Sequence, residues 1–218
     1  GEIVSYFAEM AREGGVDIET GVTVTDVITD DGAVTGLETS DGTLDADMVV
    51  NAAGPWARVL NEKAGVSVPL KHTMAPISVL ESDENFELPT VILESGVYFT
   101  GERSAKTLVG NAPHESGDEG LWETALELDS PGREQGMGVG SVRESHRNLI
   151  AETAPRAIPK LAGAEVSNEW RGLRCVTPDH RPFVGPTELE GFYALTGMSG
   201  EGITLSPACA EILAKHLI

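Results

Sequence analysis

The sequence has little positive charge. Its 218 residues include 15 Lys plus Arg against 35 Asp plus Glu, which gives a formal net charge of -20 at pH 7. Such a surface repels the phosphate backbone of DNA and RNA, so we expect no nucleic-acid partner. Carboxylates spread through the predicted turns suit a protein kept soluble in concentrated salt, where screening weakens their mutual repulsion. We therefore expect a halophilic source, with an acidic mesophilic protein as the alternative.

Cysteine and long apolar runs are also scarce. The two cysteines, Cys175 and Cys209, form neither a CxxC motif nor a disulfide framework, which favours a reducing compartment. No stretch approaches the run of about 20 apolar residues that a membrane helix needs. We therefore expect a cytoplasmic protein without a membrane span, long enough to bury a substantial core. No metal site is predicted.

The first part of the chain predicts one helix and several short strands. An amphipathic helix over 1–12 is followed by an antiparallel meander over 22–47. The apolar run 48–50 then predicts a strand buried on both faces, because it does not alternate with polar residues. That strand ends in the small-residue segment 51–56, NAAGPW, and a helix follows.

The rest of the chain predicts a second sheet and two helices. The strands of this sheet are predicted at 74–80, 90–93, 97–100 and 107–110, and a helix at 139–151. Strands resume between 166 and 196, and the final helix is predicted to begin at Ser206 or Pro207.

A glycine-rich loop separates the last strand from the final helix. Gly197, Gly200 and Gly202 lie in this loop, so the backbone can come close to a planar ligand, and the helix presents unpaired N–H donors. Such a helix end favours an electron-rich group. Considered alone, the loop is explained equally well as a turn that joins strand to helix.

Three motifs together resemble the D-amino-acid oxidase family in its broad sense, which includes glycine oxidase, sarcosine oxidase and dimethylglycine dehydrogenase. They are VVNAAGPWA at 49–57, GLRCVTPDHRPFVGP at 172–186 and ALTGMSGEGITLSP at 194–207. The resemblance implies an α+β fold with a mixed, mainly antiparallel substrate-domain sheet, flanking helices and the remaining part of a Rossmann-like FAD domain. It assigns 1–66 to the remainder of the FAD domain, 67–169 to the substrate-binding sheet and helix, and 170–218 to the return into the FAD domain.

The resemblance implies an FAD cofactor and the residues that contact it. Val24 is placed at the adenine side through its backbone, and Ala53, Gly54 and Trp56 in the cofactor cleft. The isoalloxazine edge is assigned to Gly200, Gly202, Ile203 and Thr204. Sarcosine oxidase-like members attach the flavin to a cysteine seven positions before the TPD aspartate, where this chain has Gly172. We therefore predict non-covalent FAD.

The resemblance also implies the substrate contacts. Arg174 matches the arginine that clamps the substrate carboxylate in glycine oxidase-like members, a task that suits a planar guanidinium with two parallel hydrogen bonds. The alternative for Arg174 is an ion pair with one of the many acids. Tyr98 matches a tyrosine that reaches the substrate pocket, and its alternative is a sheet tyrosine with a solvated hydroxyl. Met198 is assigned to the substrate side, and no catalytic residue is assigned.

The chain departs from the family pattern in three ways. Sarcosine oxidase-like members carry lysine where this chain has Thr204, and often histidine where it has Glu201. An acidic group beside the flavin disfavours negative charge there, so oxidase and dehydrogenase both stay open. The family's GxGxxG unit, with an acidic residue about 20 positions on, is not found in these 218 residues. We therefore expect the chain by itself to be colourless and inactive.

These features lead to one main functional prediction and two alternatives. The main one is the C-terminal part of an FAD-dependent oxidoreductase that oxidises the C–N bond of a small carboxylate-bearing amine, such as an amino acid or N-methyl amino acid. One alternative is a 2-hydroxy acid or glycerol-3-phosphate dehydrogenase, which NAAGPW also resembles. The other is a non-catalytic subunit that docks onto a separate flavoprotein, and an oligomer or second subunit is consistent with either reading.

Overall fold

The computed structural model describes residues 2–102, 104–111 and 142–217. The helices are α1 (Glu2–Glu13), α2 (Ala57–Lys63), α3 (Glu144–Ala157) and α4 (Gly202–Leu217). The first strands are β1 (Val24–Asp30), β2 (Ala33–Thr39), β3 (Gly42–Asp45), β4 (Val49–Asn51) and β5 (Lys71–Glu81). The later strands are β6 (Val91–Ile92), β7 (Val97–Gly101), β8 (Lys106–Asn111), β9 (Glu165–Val176), β10 (Phe183–Pro186) and β11 (Phe192–Thr196).

These strands form three sheets. The order is β1-β2-β3 in the first, β10-β11-β4 in the second and β6-β7-β8-β5-β9 in the third. The pairings are antiparallel except for β4 with β11, which run parallel. The predicted α+β fold with a mainly antiparallel sheet is therefore confirmed, as are the meander and the second sheet.

The meander forms where the sequence alternates. Val27 on β1 and Val34 on β2 are buried beside Phe192 of β11, while the acids of these strands lie at the surface. Backbone hydrogen bonds join the meander to the second sheet, since Val34 N donates to Glu190 O at 2.8 Å and Val49 N to Gly191 O at 2.8 Å. The first and second sheets therefore share one small core.

The five-stranded sheet has one core face and one open face. Side chains of a strand alternate between faces, and residues opposite each other on paired strands share a face. The core face carries Val97, Phe99 and Val109, which pack against Ile150 and Ala154 of α3. Arg174 and Tyr98 lie on the other face, according to the register of β9, β5, β8 and β7. This open face carries the candidate substrate residues.

Three local predictions were wrong. The run 48–50 was predicted to be buried on both faces. Among the described strands, however, β4 lies at an edge of its sheet, Val50 is 39% exposed, and Met48 just before the strand is 56% exposed. The final helix begins at Gly202, so Pro207 lies inside it. The first turn closes ahead of this proline because Thr204 N and Leu205 N both donate to Glu201 O. The helix predicted over 139–151 is α3, which begins at Glu144 and runs to Ala157, and residues 139–141 lie outside the described ranges.

The boundary at residue 170 falls within a single strand. β9 pairs with β5 from Glu165 to Val176, so the five-stranded sheet continues past residue 170. Arg174 therefore belongs to the same sheet as Tyr98, although the predicted boundary placed the two residues in different segments.

Helix α1 forms as predicted, but none of its residues is buried. Its apolar residues Ile3, Val4, Tyr6, Phe7 and Met10 are at least half exposed. Within the described ranges, no helix is both long and apolar enough to cross a membrane.

Candidate functional site

Two loops of small residues leave the same edge of the second sheet. β4 and β11 are parallel neighbours, with Val49 opposite Phe192 and Asn51 opposite Ala194. Parallel strands end at the same edge, and ligands of α/β sheets bind outside this carboxyl edge. The early loop, residues 52–56, and the late loop, residues 197–201, therefore begin side by side.

Asn51 shapes the early loop from beneath. Its side chain is buried, its Oδ1 accepts a hydrogen bond from Ala53 N at 3.2 Å, and its Nδ2 donates to Ala57 O and Asn61 Oδ1, both at 2.8 Å. One amide therefore holds the strand end, the loop and α2 together. The sequence pattern did not reveal this role, although an Asn between an apolar strand and small residues was its signal.

Replacing Asn51 with Asp should strongly destabilise the protein. The change turns a donor into a second oxygen facing two buried acceptors, so the hydrogen bonds are lost and a charge is buried. We expect a loss of about 3 kcal/mol in the free energy of unfolding, measured by urea denaturation. Asn168→Asp is the matched control, because Asn168 is exposed and its Oδ1 accepts a hydrogen bond from Glu169 N, which an Asp oxygen can also accept. Equal stability of the two variants would contradict this role.

The early loop leaves open space above a glycine. Gly54 begins a 3-10 turn over Gly54–Trp56 with φ +54, and a Cβ at this position would meet nothing within 4 Å. Ala53 packs against the buried cluster of Ala57, Leu70 and Cys175, while Trp56 is half-buried. The early loop is therefore fixed on one side by the packing of Ala53, while the side toward which a Gly54 Cβ would point is open.

The late loop is held close to the five-stranded sheet. A Cβ on Gly197 would lie 2.5 Å from Thr177 Cγ2, and Gly197 has φ +73. Ser199 N donates to Cys175 O at 3.0 Å, and Glu201 N donates to Met198 O at 2.9 Å. The loop thus approaches β9 as closely as glycine permits.

Helix α4 follows this loop directly. Gly202, Ile203 and Thr204 form its first turn. Thr204 N donates to Glu201 O, whereas the N–H groups of Gly202 and Ile203 have no acceptor within the helix. Ile203 is 64% exposed, and Thr204 is exposed as well. The four residues predicted along the isoalloxazine edge, Gly200 included, therefore lie at an accessible helix start.

Arg174, Tyr98 and the late loop meet on the open face of the five-stranded sheet. An Arg174 terminal nitrogen donates to Tyr98 Oη at 3.4 Å, and a Cβ on Gly200 would lie 3.1 Å from Arg174 Cδ and Nε. Tyr98 lies across Gly110, because a Cβ there would come within 2.3 Å of its ring. Within the described part of the chain, no carboxylate forms an ion pair with Arg174.

The other predicted site residues are placed as follows. Met198 lies in the late loop, two positions before Gly200. Val24 begins β1, opposite Thr39, in a different sheet from the two loops. Its assignment to the adenine side stays a prediction.

Cys175 and Gly172 lie on opposite faces of β9. Gly172 shares the face of Arg174, and a Cβ there would meet nothing within 4 Å. Cys175 is buried on the other face with its Sγ 3.8 Å from Thr196 Oγ1, and burial raises the pKa of its thiol. The nearby thiol is therefore turned away from the open face.

His72 was missed by the sequence pattern. It lies opposite Cys175 on β5, and its Nε2 is 2.5 Å from Pro55 O in the early loop. Burial lowers the pKa of His72. No local motif marks this residue, because the contact joins positions far apart in the chain.

The residues present fit the flavin part of FAD. Two glycine-containing loops border one cleft, Gly54 and Gly172 leave space for a flat ring, and the start of α4 presents backbone N–H groups. Within the described residues there is no cluster of His, Cys, Asp and Glu that could hold a metal ion.

Two known proteins are similar to this chain in sequence. Glycine oxidase of Pseudomonas putida is 29% identical over 216 residues, covering 99% of this chain and 53% of that protein. Human mitochondrial sarcosine dehydrogenase is 30% identical over 217 residues, covering 97% of this chain and 22% of that protein. The chain thus spans about half the length of the glycine oxidase that it matches.

Solved structures show the same fold. The L-proline dehydrogenase of P. horikoshii superposes with a TM-score of 0.82 at 22% identity, over 99% of this chain and 54% of that one. Glycine oxidase of Bacillus cereus gives 0.73 at 25% identity, over 98% and 54%. Residues 1–216 match the family described as FAD dependent oxidoreductase. The chain therefore belongs to the DAO family of FAD-dependent oxidoreductases, as the three motifs predicted.

Proposed function

We propose that this chain forms the substrate-binding side, and the flavin-facing loops, of an enzyme that oxidises the C–N bond of a small carboxylate-bearing amine. The observation that carries the proposal is Arg174. Its guanidinium lies on the open face of the sheet, touches Tyr98 Oη and the late loop, and has no carboxylate partner within the described residues. An arginine so placed is available to an anionic ligand.

Each element has a distinct task in this proposal. Arg174 binds the substrate carboxylate with two parallel hydrogen bonds, and Tyr98 donates one more and covers the ligand. The N–H groups at the start of α4 favour negative charge at the adjacent ligand edge. FAD, when bound, accepts the hydride from the carbon that bears the amine. The chain thus orients the substrate.

We also propose that segments 1–66 and 170–218 belong to one FAD domain, apart from residues 170–176, which complete β9 of the five-stranded sheet, and that polypeptide outside these residues holds the remaining parts of the cofactor. The parallel pairing of β4 with β11 supports this, because it places strands from both segments in one sheet. The proposal predicts that FAD binds tightly only when a dinucleotide-binding polypeptide is present. Stoichiometric flavin on residues 1–218 alone would contradict it.

The decisive experiment is a substrate screen without oxygen on the FAD-loaded protein, by which we mean this chain together with the polypeptide that holds the rest of the cofactor. Glycine, sarcosine and proline are compared with 2-hydroxy acids and glycerol 3-phosphate, and loss of oxidised-flavin absorbance is followed. We expect bleaching by at least one amine and by none of the alcohols. Readmitting oxygen then distinguishes an oxidase, which regains its colour rapidly, from a dehydrogenase. Bleaching only by alcohols would overturn the proposal.

The acidic composition supports the further proposal of a halophilic protein, and the lack of a CxxC motif or a disulfide framework supports that of a cytoplasmic one. We expect the melting temperature of the FAD-loaded protein to rise in molar KCl, since salt screens repulsion within a chain of net charge -20. A melting temperature that stays constant or falls would leave the acidic mesophilic alternative.

We expect the flavin to be bound without a covalent link. Gly172 offers no nucleophile on the open face, and the Cys175 thiol is buried on the other face. Acid precipitation of the FAD-loaded protein should therefore release all the flavin into the supernatant, from the parent protein and from Cys175→Ser alike. Flavin that stays with the pellet in the parent but not in Cys175→Ser would contradict this expectation.

A further inference from the structure

We propose that His72 is a positioning residue, and that the rung of the five-stranded sheet formed by His72 and Cys175 fixes both cleft loops relative to Arg174. His72 on β5 lies directly opposite Cys175 on β9. Each member of the rung holds a different loop. The part of the proposal that concerns Arg174 rests on the proposed function, and the part that concerns the loops does not.

His72 holds the early loop through its side chain. The imidazole is 6% exposed, and its Nε2 lies 2.5 Å from Pro55 O, in the middle of the 3-10 turn Gly54–Trp56. A carbonyl oxygen can only accept, so Nε2 carries the proton and donates. Ala57, Leu70 and Cys175 form an apolar cluster beside this bond, and such surroundings strengthen it. Loss of the imidazole would leave the Pro55 carbonyl without this donor.

Cys175 holds the late loop through its backbone. Its carbonyl oxygen accepts a hydrogen bond from Ser199 N at 3.0 Å, next to Gly200. The Cys175 side chain also approaches β11, with Sγ 3.8 Å from Thr196 Oγ1. Both loops are therefore attached to the same rung of the sheet, from opposite strands.

The neighbouring rung consists of Thr73 and Arg174. These residues are also opposite each other, and their side chains face the open side of the sheet. One residue along a strand spans about 3.3 Å, so the loops and the guanidinium are separated by a short, rigid piece of sheet. A shift of the early loop would therefore move the isoalloxazine ring that it is proposed to contact, relative to a substrate bound by Arg174.

The test uses three changes at one position in the FAD-loaded protein. His72→Leu removes the donor, His72→Asn keeps polarity but is too short to reach Pro55 O, and His72→Gln can still donate to it. We expect the FAD dissociation constant, measured by flavin fluorescence, to rise about 10-fold in the Leu and Asn variants and to return to within about threefold in the Gln variant. We expect kcat to fall about 100-fold with a nearly unchanged KM, because the ring is displaced from the bound substrate.

Ser78→Ala is the matched control. Ser78 lies on the same strand and the same face as His72 and is also buried. Its hydroxyl donates to Glu169 Oε1 on β9 at 3.1 Å, so this hydrogen bond contacts neither cleft loop. The Ser78→Ala variant should be less stable than the parent but should bind FAD with the same affinity. Equal FAD affinity in all His72 variants and the parent would overturn the proposal, as would a Gln variant as weak as the Asn variant. FAD affinity needs no substrate, so failure of the proposed amine oxidation would be seen separately.

Discussion

Replacing Arg174 with Ala should raise the KM for a carboxylate-bearing amine about 100-fold in the FAD-loaded protein. The reason is that the guanidinium supplies two charge-assisted hydrogen bonds to the carboxylate, from a position where it bonds Tyr98 and lies against Gly200. Steady-state kinetics measure the change. FAD affinity should stay the same, because the guanidinium lies on the substrate side of the cleft.

Two further variants separate charge from geometry at this position. Arg174→Lys keeps the positive charge but loses the planar fork, so we expect a KM between those of the parent and the Ala variant. Arg156→Ala removes an arginine that forms an exposed pair with Glu152 on α3, so its kinetics should match the parent. If Arg174→Ala behaved like Arg156→Ala, Arg174 would not bind the substrate.

Replacing Gly200 with Ala should lower kcat/KM about 100-fold. Gly200 has φ +98, and an added Cβ would lie 3.1 Å from Arg174 Cδ and Nε. The methyl group therefore pushes against the guanidinium while the backbone is strained, and the substrate is misplaced. The strain itself should lower the free energy of unfolding by about 1–2 kcal/mol.

Gly163→Ala is the control for strain alone. Gly163 has φ +85, but a Cβ there would meet nothing within 4 Å. It lies in the connection from α3 to β9, outside the two cleft loops. We expect a similar loss of stability and no loss of kcat/KM. A Gly200 variant with the parent's kcat/KM would show that the contact with Arg174 does not matter for substrate binding.

Local sequence patterns predicted the strands of the fold well. The meander follows from alternation between turns such as Asp30-Asp31-Gly32, where Asp31 and Gly32 both have positive φ. Alternation and turn chemistry act over a few residues, so they can be read without knowing the rest of the chain. The end of α3 and the start of α4 were missed for a related reason, because a proline such as Pro207 was taken as a boundary although the turn before it closes on Glu201 O.

Contacts between distant positions could not be read in this way. Nothing in residues 49–51 indicates that they pair with residues 192–194, and only the family resemblance brought the two loops together before the structure did. The bond from His72 to Pro55 and the amide contacts of Asn51 depend on the same tertiary arrangement. Tyr98 and Arg174 were named one by one, whereas their contact across Gly110 requires the order of four strands.

The most direct test of this account is a crystal structure of the protein with FAD and a small amine carboxylate bound. We predict that the isoalloxazine ring lies between Gly54 and the late loop, and that the ligand carboxylate is paired with Arg174 on the open face of the five-stranded sheet. A ring bound away from both loops, or a carboxylate held by another cation while Arg174 points into solvent, would contradict the account.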